Sequence, residues 1–130
     1  MAGPKGSKYY DIFLRHQVQL VTGDQTLITE EGFNLLLEVG KTGSIVAAAK
    51  NLGISYRKAW GLLRQIEYNL GFSLVGKKRG GKAGGRTTFT PAGEELIDAY
   101  KKLVTDLEST DREAIRTFFR RINHISTTNE

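Results

Sequence analysis

Apolar residues recur along this chain at two different spacings, and the change of spacing organises it. Tyr10, Ile12 and Leu14, then Val18 and Leu20, fall on alternate positions. That is the period of a half-buried strand and predicts an extended segment from about residue 9 to 21. Gly23-Asp24 reads as a turn, and Thr26 to Ile28 as a short returning strand. From Thr29 the period lengthens to that of a helix, with Thr29 as N-cap and Phe33, Leu36, Leu37 and Gly40 on one face, ending between Gly40 and Gly43.

Two short helices follow. Ser44 is the next N-cap and Ile45–Asn51 the next helix. Gly53 stands where the chain must turn sharply, and Ser55 caps a further helix over residues 56–70. Small Ala49, together with Ala48, Leu52, Ile54, Ala59 and Leu62, falls where two crossed helices bury apolar side chains. On the helix over 56–70 the inward stripe is Ala59, Leu62 or Leu63, Ile66 and Leu70. Ser55, Tyr56, Arg57, Lys58, Gly61, Arg64 and Gln65 are left outward. This is the pattern of a helix-turn-helix. The plain alternative, an αα-hairpin of a helical core, would not require what comes next.

Leu74 and Val75 suit one short strand, and Thr87, Thr88 and Phe89 its partner. Between them glycines at 76, 80, 81, 84 and 85 are interleaved with Lys77, Lys78, Arg79, Lys82 and Arg86. A hairpin of this kind is a β-wing: glycine lets backbone approach a phosphate, and the cations attract it. Gly81-Lys82 is followed by Ala83, so it is no Walker loop. Gly81-Lys82-Ala83-Gly84 matches the GXXG of KH domains but joins strands rather than helices. Thr90 then caps a long helix with Pro91 at its first position. Leu96, Tyr100, Leu103 and Leu107 follow at spacings of 4, 3 and 4, a coiled-coil-like seam. Ala114, Phe118, Ile122 and Ile125 continue it beyond a weaker stretch, Ser109 to Arg112, which can break or kink the helix.

The expected fold is mainly α with a small β-wing: a winged helix-turn-helix with an N-terminal strand or hairpin and a long C-terminal dimerisation helix. Residues 1–8 are expected to be disordered. Residues 9–90 would form the DNA-binding domain, 91–125 the helical dimerisation segment, and 126–130 a tail.

Charge sharpens the functional reading. The 130 residues carry a net +5, yet between Ser55 and Arg86 eight Lys and Arg face a single acidic residue, Glu67. The rest of the chain is therefore net acidic, and the positive field is concentrated where a polyanion would lie. The first turn of a recognition helix addresses base edges, which selects Ser55, Tyr56, Arg57 and Lys58. Arg57 can grip guanine O6 and N7 with two parallel bonds, whereas Lys58 suits a phosphate. Arg64 and the wing cations Lys77, Lys78, Arg79, Lys82 and Arg86 complete the DNA-contacting set. Trp60 is expected as a core or hinge anchor rather than a base contact. With no cysteine, disulfides, thiol catalysis and cysteine zinc sites are excluded. His16 and His124 lie far apart without a nucleophile or ligand cluster, so no enzyme, metal or cofactor is expected. No run of ~18 apolar residues offers a membrane span, and the N-terminus lacks a secretion-signal core, so a cytoplasmic location is expected.

The stretch from Arg15 to Val104 resembles the N-terminal DNA-binding domain of the ModE molybdate-responsive transcription regulators. The resemblance rests on Gly43-Ser44-Ile45 with the Ala-rich helix, Ser55-Tyr56-Arg57 with Ala59-Trp60, and Leu70-Gly71 before Leu74-Val75. Gly80-Gly81 with Gly84-Gly85, and Thr90 with Gly93, complete it. It implies a winged helix related to LysR-type DNA-binding domains, a homodimer through the long helices (Leu96, Tyr100, Leu103, Leu107 and Phe118), and binding to double-stranded DNA at an inverted repeat. Phe89 stands where the family tends to have Leu. The family's C-terminal molybdate-binding β-domains have no counterpart in these residues, so no molybdate site is expected. Two other readings fit the same residues: an architectural, nucleoid-type protein binding DNA with little sequence preference, and a protein-interaction adaptor on a winged-helix fold.

Overall fold

In the computed structural model, residues 4–6, 8–78 and 86–128 are described, with the backbone alone at 77, 78 and 125–128. The element order is β1 (Leu20–Thr22), β2 (Gln25–Ile28), α1 (Glu30–Thr42), α2 (Ile45–Leu52), α3 (Tyr56–Leu70), β3 (Val75–Lys78), β4 (Arg86–Phe89) and α4 (Pro91–Thr128).

Four hydroxyl caps fix where the helices begin. Thr29 Oγ1 accepts from Gly32 N at 3.0 Å, Ser44 Oγ from Ala47 N at 3.1 Å, Ser55 Oγ from Lys58 N at 3.0 Å and Thr90 Oγ1 from Gly93 N at 3.0 Å. Each satisfies an amide that the helix itself leaves without a partner. Gly53 ends α2 at φ +69°, a left-handed conformation that lets the chain reverse into α3 and that a side chain would strain.

The chain divides into two compact units, residues 17–99 and residues 1–16 with 100–130. In the first, α1, α2 and α3 enclose a core of Phe33, Leu35, Leu36, Val39, Ile45, Ala48, Ala49, Ala59, Leu63 and Ile66, joined by Ile28 from β2 and Leu74. The inward face of α1 is therefore 32, 33, 35, 36 and 39, one step round the helix from the expected Leu37 and Gly40. Two antiparallel hairpins flank the helices, β1 with β2 and β3 with β4. Asn69 ties α3 to the first hairpin: its Nδ2 donates to the Leu27 carbonyl at 3.2 Å and its Oδ1 accepts from Gln25 Nε2 at 3.2 Å.

The expected strand over 9–21 is corrected. Only Leu20–Thr22 forms a strand, paired with β2 across the Gly23-Asp24 turn. Alternation describes a local backbone, but a strand also needs a partner edge. The ladder that β2 offers ends at Leu20. Tyr10, Ile12 and Leu14, expected on a buried face, are exposed. In the second unit Tyr9 stacks on Phe119 with ring centroids 5.9 Å apart, and His16 Nδ1 lies 2.9 Å from Asp111 Oδ2.

The long helix α4 runs from Pro91 to Thr128 through Ser109–Arg112 without a break. Its buried positions are Ile97, Tyr100, Ile115 and Phe119. Ile97 and Ile115 are eighteen residues apart, about five turns at 3.6 residues per turn, and so share a face. Ala114 and Phe118 of the expected seam are exposed, and their chain neighbours Ile115 and Phe119 are buried instead.

Candidate nucleic-acid interface

Helix α3 is held by its inner stripe. Ala59, Leu63 and Ile66 are buried, with Leu62 and Leu70 half-buried beside them. At ~100° per residue, the opposite pole carries Arg57, Gly61, Arg64 and Tyr68 within an arc of about 60°. All four are exposed, Tyr68 at 81 %. Ser55, Tyr56 and Lys58 are exposed too, so all four residues of the expected first-turn set are open to solvent. Lys58 is not idle: its Nζ lies 3.4 Å from Glu31 Oε1 of α1, an exposed pair that a phosphate could displace at little cost.

Trp60, expected as a core or hinge anchor, lies at the edge of the core. It is half-buried, with its ring edge-on to Tyr56 at 6.3 Å and the Arg64 guanidinium over it at 5.4 Å. These residues are spaced by four, so each leans on its neighbour one turn away. The ladder orients Arg64, an attraction of ~0.5–1 kcal/mol at an exposed site. Gly61 sits in the helix interior between these turns, where glycine costs roughly 0.5–1 kcal/mol relative to Ala. Apart from its chain neighbours and the helix's own backbone, no atom of the described residues lies within 4 Å of where its Cβ would be.

The single acidic residue of the basic stretch has a structural task that its charge did not reveal. Glu67 Oε2 accepts from Leu74 N at 2.7 Å and from Val75 N at 3.4 Å, which clamps the start of β3 to the last turns of α3. The wing pairs Val75 with Phe89, Gly76 with Thr88, Lys77 with Thr87 and Lys78 with Arg86. It is fastened to the α1–α2 junction, where Thr87 N donates to the Gly43 carbonyl at 3.1 Å. Arg86 is exposed, and its Nε lies only 2.8 Å from where a Cβ on Gly43 would stand. Recognition helix and wing base are thus braced through α1 and Glu67. Lys77 and Lys78 lie on the β3 backbone; Arg79 and Lys82, with the glycines at 80, 81, 84 and 85, fall outside the described residues.

The α4 seam is divided. Tyr100 is buried within the single chain, Leu96 and Leu107 are half-buried, and Leu103 and Phe118 are exposed, Phe118 at 52 %. Among the described residues no group of His, Asp or Glu side chains could hold a metal ion, and no helix is long and apolar enough to cross a membrane.

Known proteins share this arrangement. The family model for bacterial regulatory helix-turn-helix proteins of the lysR family matches residues 29–94, from the cap of α1 to the first turn of α4. The molybdenum-pterin-binding protein MopB of Rhodobacter capsulatus is 48 % identical over 66 residues, 51 % of this chain and 24 % of its own length. The DNA-binding transcriptional dual regulator ModE of Escherichia coli is 37 % identical over 70 residues, 54 % of this chain and 27 % of its own length. The chain thus spans about a quarter of the length of these curated relatives. Among solved structures, the DNA-binding domain of CbnR in complex with DNA superposes with a TM-score of 0.51 at 26 % identity, covering 65 % of this chain and 93 % of that domain. The BenM DNA-binding domain on a benA site superposes with a TM-score of 0.54 at 21 % identity, over 67 % of this chain and 92 % of that one, a likeness of fold.

Proposed function

The chain belongs to the lysR family of bacterial regulatory helix-turn-helix proteins, and we propose that it is a sequence-specific DNA-binding transcription regulator that works in the cytoplasm as a homodimer on an inverted repeat. The observation that carries this is the outer pole of α3. Arg57 and Arg64 are exposed on one side of a helix whose other side is locked into the core, beside a braced cationic wing. A helix presented in this way fits the major groove, with Ser55, Tyr56, Arg57 and Lys58 toward base edges and the wing cations, Arg86 included, along the backbone. The CbnR domain bound to DNA and the DNA-binding regulator of Escherichia coli support the same reading. DNA binding is what the matched residues support.

Dimerisation is supported by α4. Leu103 and Phe118 remain exposed, and Leu96 and Leu107 partly so, after the chain has folded. Tyr100 would support that seam from beneath. Two copies joined there would present two α3 helices to two half-sites.

In vitro selection from random duplexes tests the reading. A regulator returns a sequence with two related half-sites, bound ~10³-fold or more over random DNA. A ratio near one would favour an architectural protein, and absence of salt-sensitive binding would favour an adaptor.

A further inference from the structure

We infer that Gly61 is a specificity-determining gap in the recognition helix, the position at which the backbone of α3 itself, uncovered by a side chain, meets the floor of the major groove. The inference rests on the DNA-binding reading above and names a residue which that reading leaves without a role.

Helix α3 is otherwise locally consistent. It has a serine cap, a buried stripe of Ala59, Leu63 and Ile66, and a glycine C-cap at Gly71. Gly61 breaks that consistency, because it lies mid-helix, where glycine weakens the element. At the other glycines within helices the choice is explained inside the protein. A side chain at Gly32 would press on Ile66, and one at Gly93 on the Leu74 backbone. Among the described residues, and apart from its chain neighbours and the helix's own backbone, a Cβ at Gly61 would meet nothing within 4 Å, so no described contact accounts for its absence. A local rule broken without internal compensation points to an external surface that approaches closely.

The neighbours say what that surface is. Arg57 stands one turn before Gly61 and Arg64 one turn after it, on the same pole, and Trp60 orients the Arg64 guanidinium. Two long cationic arms on either side of a bare position suit a polyanion whose flanks rise around a recessed floor, which is the cross-section of a DNA groove. The arms reach outward while the helix between them seats deeply. A side chain at position 61 would lift α3 and lengthen every base contact made from its first two turns.

The experiment compares the full chain with Gly61→Ala and Gly61→Gln. The probes are a duplex selected from a random library by the unaltered protein and an unrelated duplex of equal length. Gly61→Ala is expected to raise Tm by about 2–6 °C, because it removes a helix-interior glycine. It should at the same time lose about 10-fold or more in affinity for the selected duplex, with Gly61→Gln losing more and the unrelated duplex affected much less. Greater stability with weaker specific binding is a combination that misfolding cannot produce. If Gly61→Ala binds the selected duplex as tightly as the unaltered protein, or if both duplexes lose equally, the inference is wrong and the DNA-binding reading stands. If the unaltered protein shows no salt-sensitive DNA binding, the reading itself fails and the inference falls with it.

Discussion

Gly93 in the first turn of α4 faces the carbonyl of Leu74 so closely that no Cβ fits between them. The contact belongs to a junction in which Thr90 N donates to the same Leu74 carbonyl at 2.9 Å, and Thr90 Oγ1 lies 2.7 Å from the Ser73 carbonyl oxygen. The start of the wing and the start of α4 are therefore packed backbone to backbone. Gly93→Ala should force them apart and destabilise the fold by about 1–3 kcal/mol, the scale of overpacking. Thermal unfolding would show it as a fall in Tm. An unchanged Tm would mean that the junction is not held as tightly as the geometry requires.

A second junction depends on a carboxylate. Because Glu67 accepts from both Leu74 N and Val75 N, Glu67→Ala would leave two part-buried amides without that acceptor. The expected loss is about 1–3 kcal/mol. Amide hydrogen exchange at Leu74 and Val75 should accelerate beyond what global destabilisation accounts for. Uniform acceleration across α1, α2 and α3 would instead make Glu67 an ordinary surface residue.

These two junctions show where the sequence was legible. Thr29, Ser44, Ser55 and Thr90 announced four helix starts through short-range chemistry that involves only the next three residues. Glu67 could be counted as a charge, but its role depends on the chain returning seven residues later, which no local pattern encodes. The expected strand over residues 9–19 fails for the same reason: alternation is present, but among the described residues the ladder that β2 offers ends at Leu20. On α4, Phe118 and Phe119 are neighbours of equal hydrophobicity. Tyr100 and Phe118 are eighteen residues apart and share a helix face, yet one is buried and the other exposed, so what packs on the helix decides between them and its period does not. On the candidate interface, exposure of the first turn of α3 followed from the spacing of Ala59, Leu63 and Ile66. The face that Trp60 shows to Arg64 did not, since an aromatic at that position satisfies either a core or a surface pattern.

The Trp60–Arg64 stack makes a prediction of its own. If Trp60 orients the guanidinium, Trp60→Ala and Arg64→Ala should be non-additive in DNA affinity, with a coupling of about 0.5–1 kcal/mol. Trp60→Phe, which keeps an aromatic face, should recover part of the loss. Additive effects in a double-mutant cycle would show that the two side chains act separately.

The division of labour between helix and wing can be separated by salt. Arg57 is exposed in the first turn of α3, where two parallel bonds to a guanine would distinguish one base pair from the others. Arg57→Ala should cost about 1–3 kcal/mol on the selected duplex and relax preference at one position, with a smaller loss on random DNA. Lys78 lies on β3 opposite Arg86, the last pair of the cationic hairpin's ladder, where attraction to phosphate does not depend on sequence. Lys78→Ala should weaken selected and random duplexes alike and lower the slope of log K against log salt by about 1. Titrations of both variants on both duplexes at several salt concentrations give all four quantities. Equal losses on both duplexes for both variants would mean that α3 contributes charge rather than sequence readout.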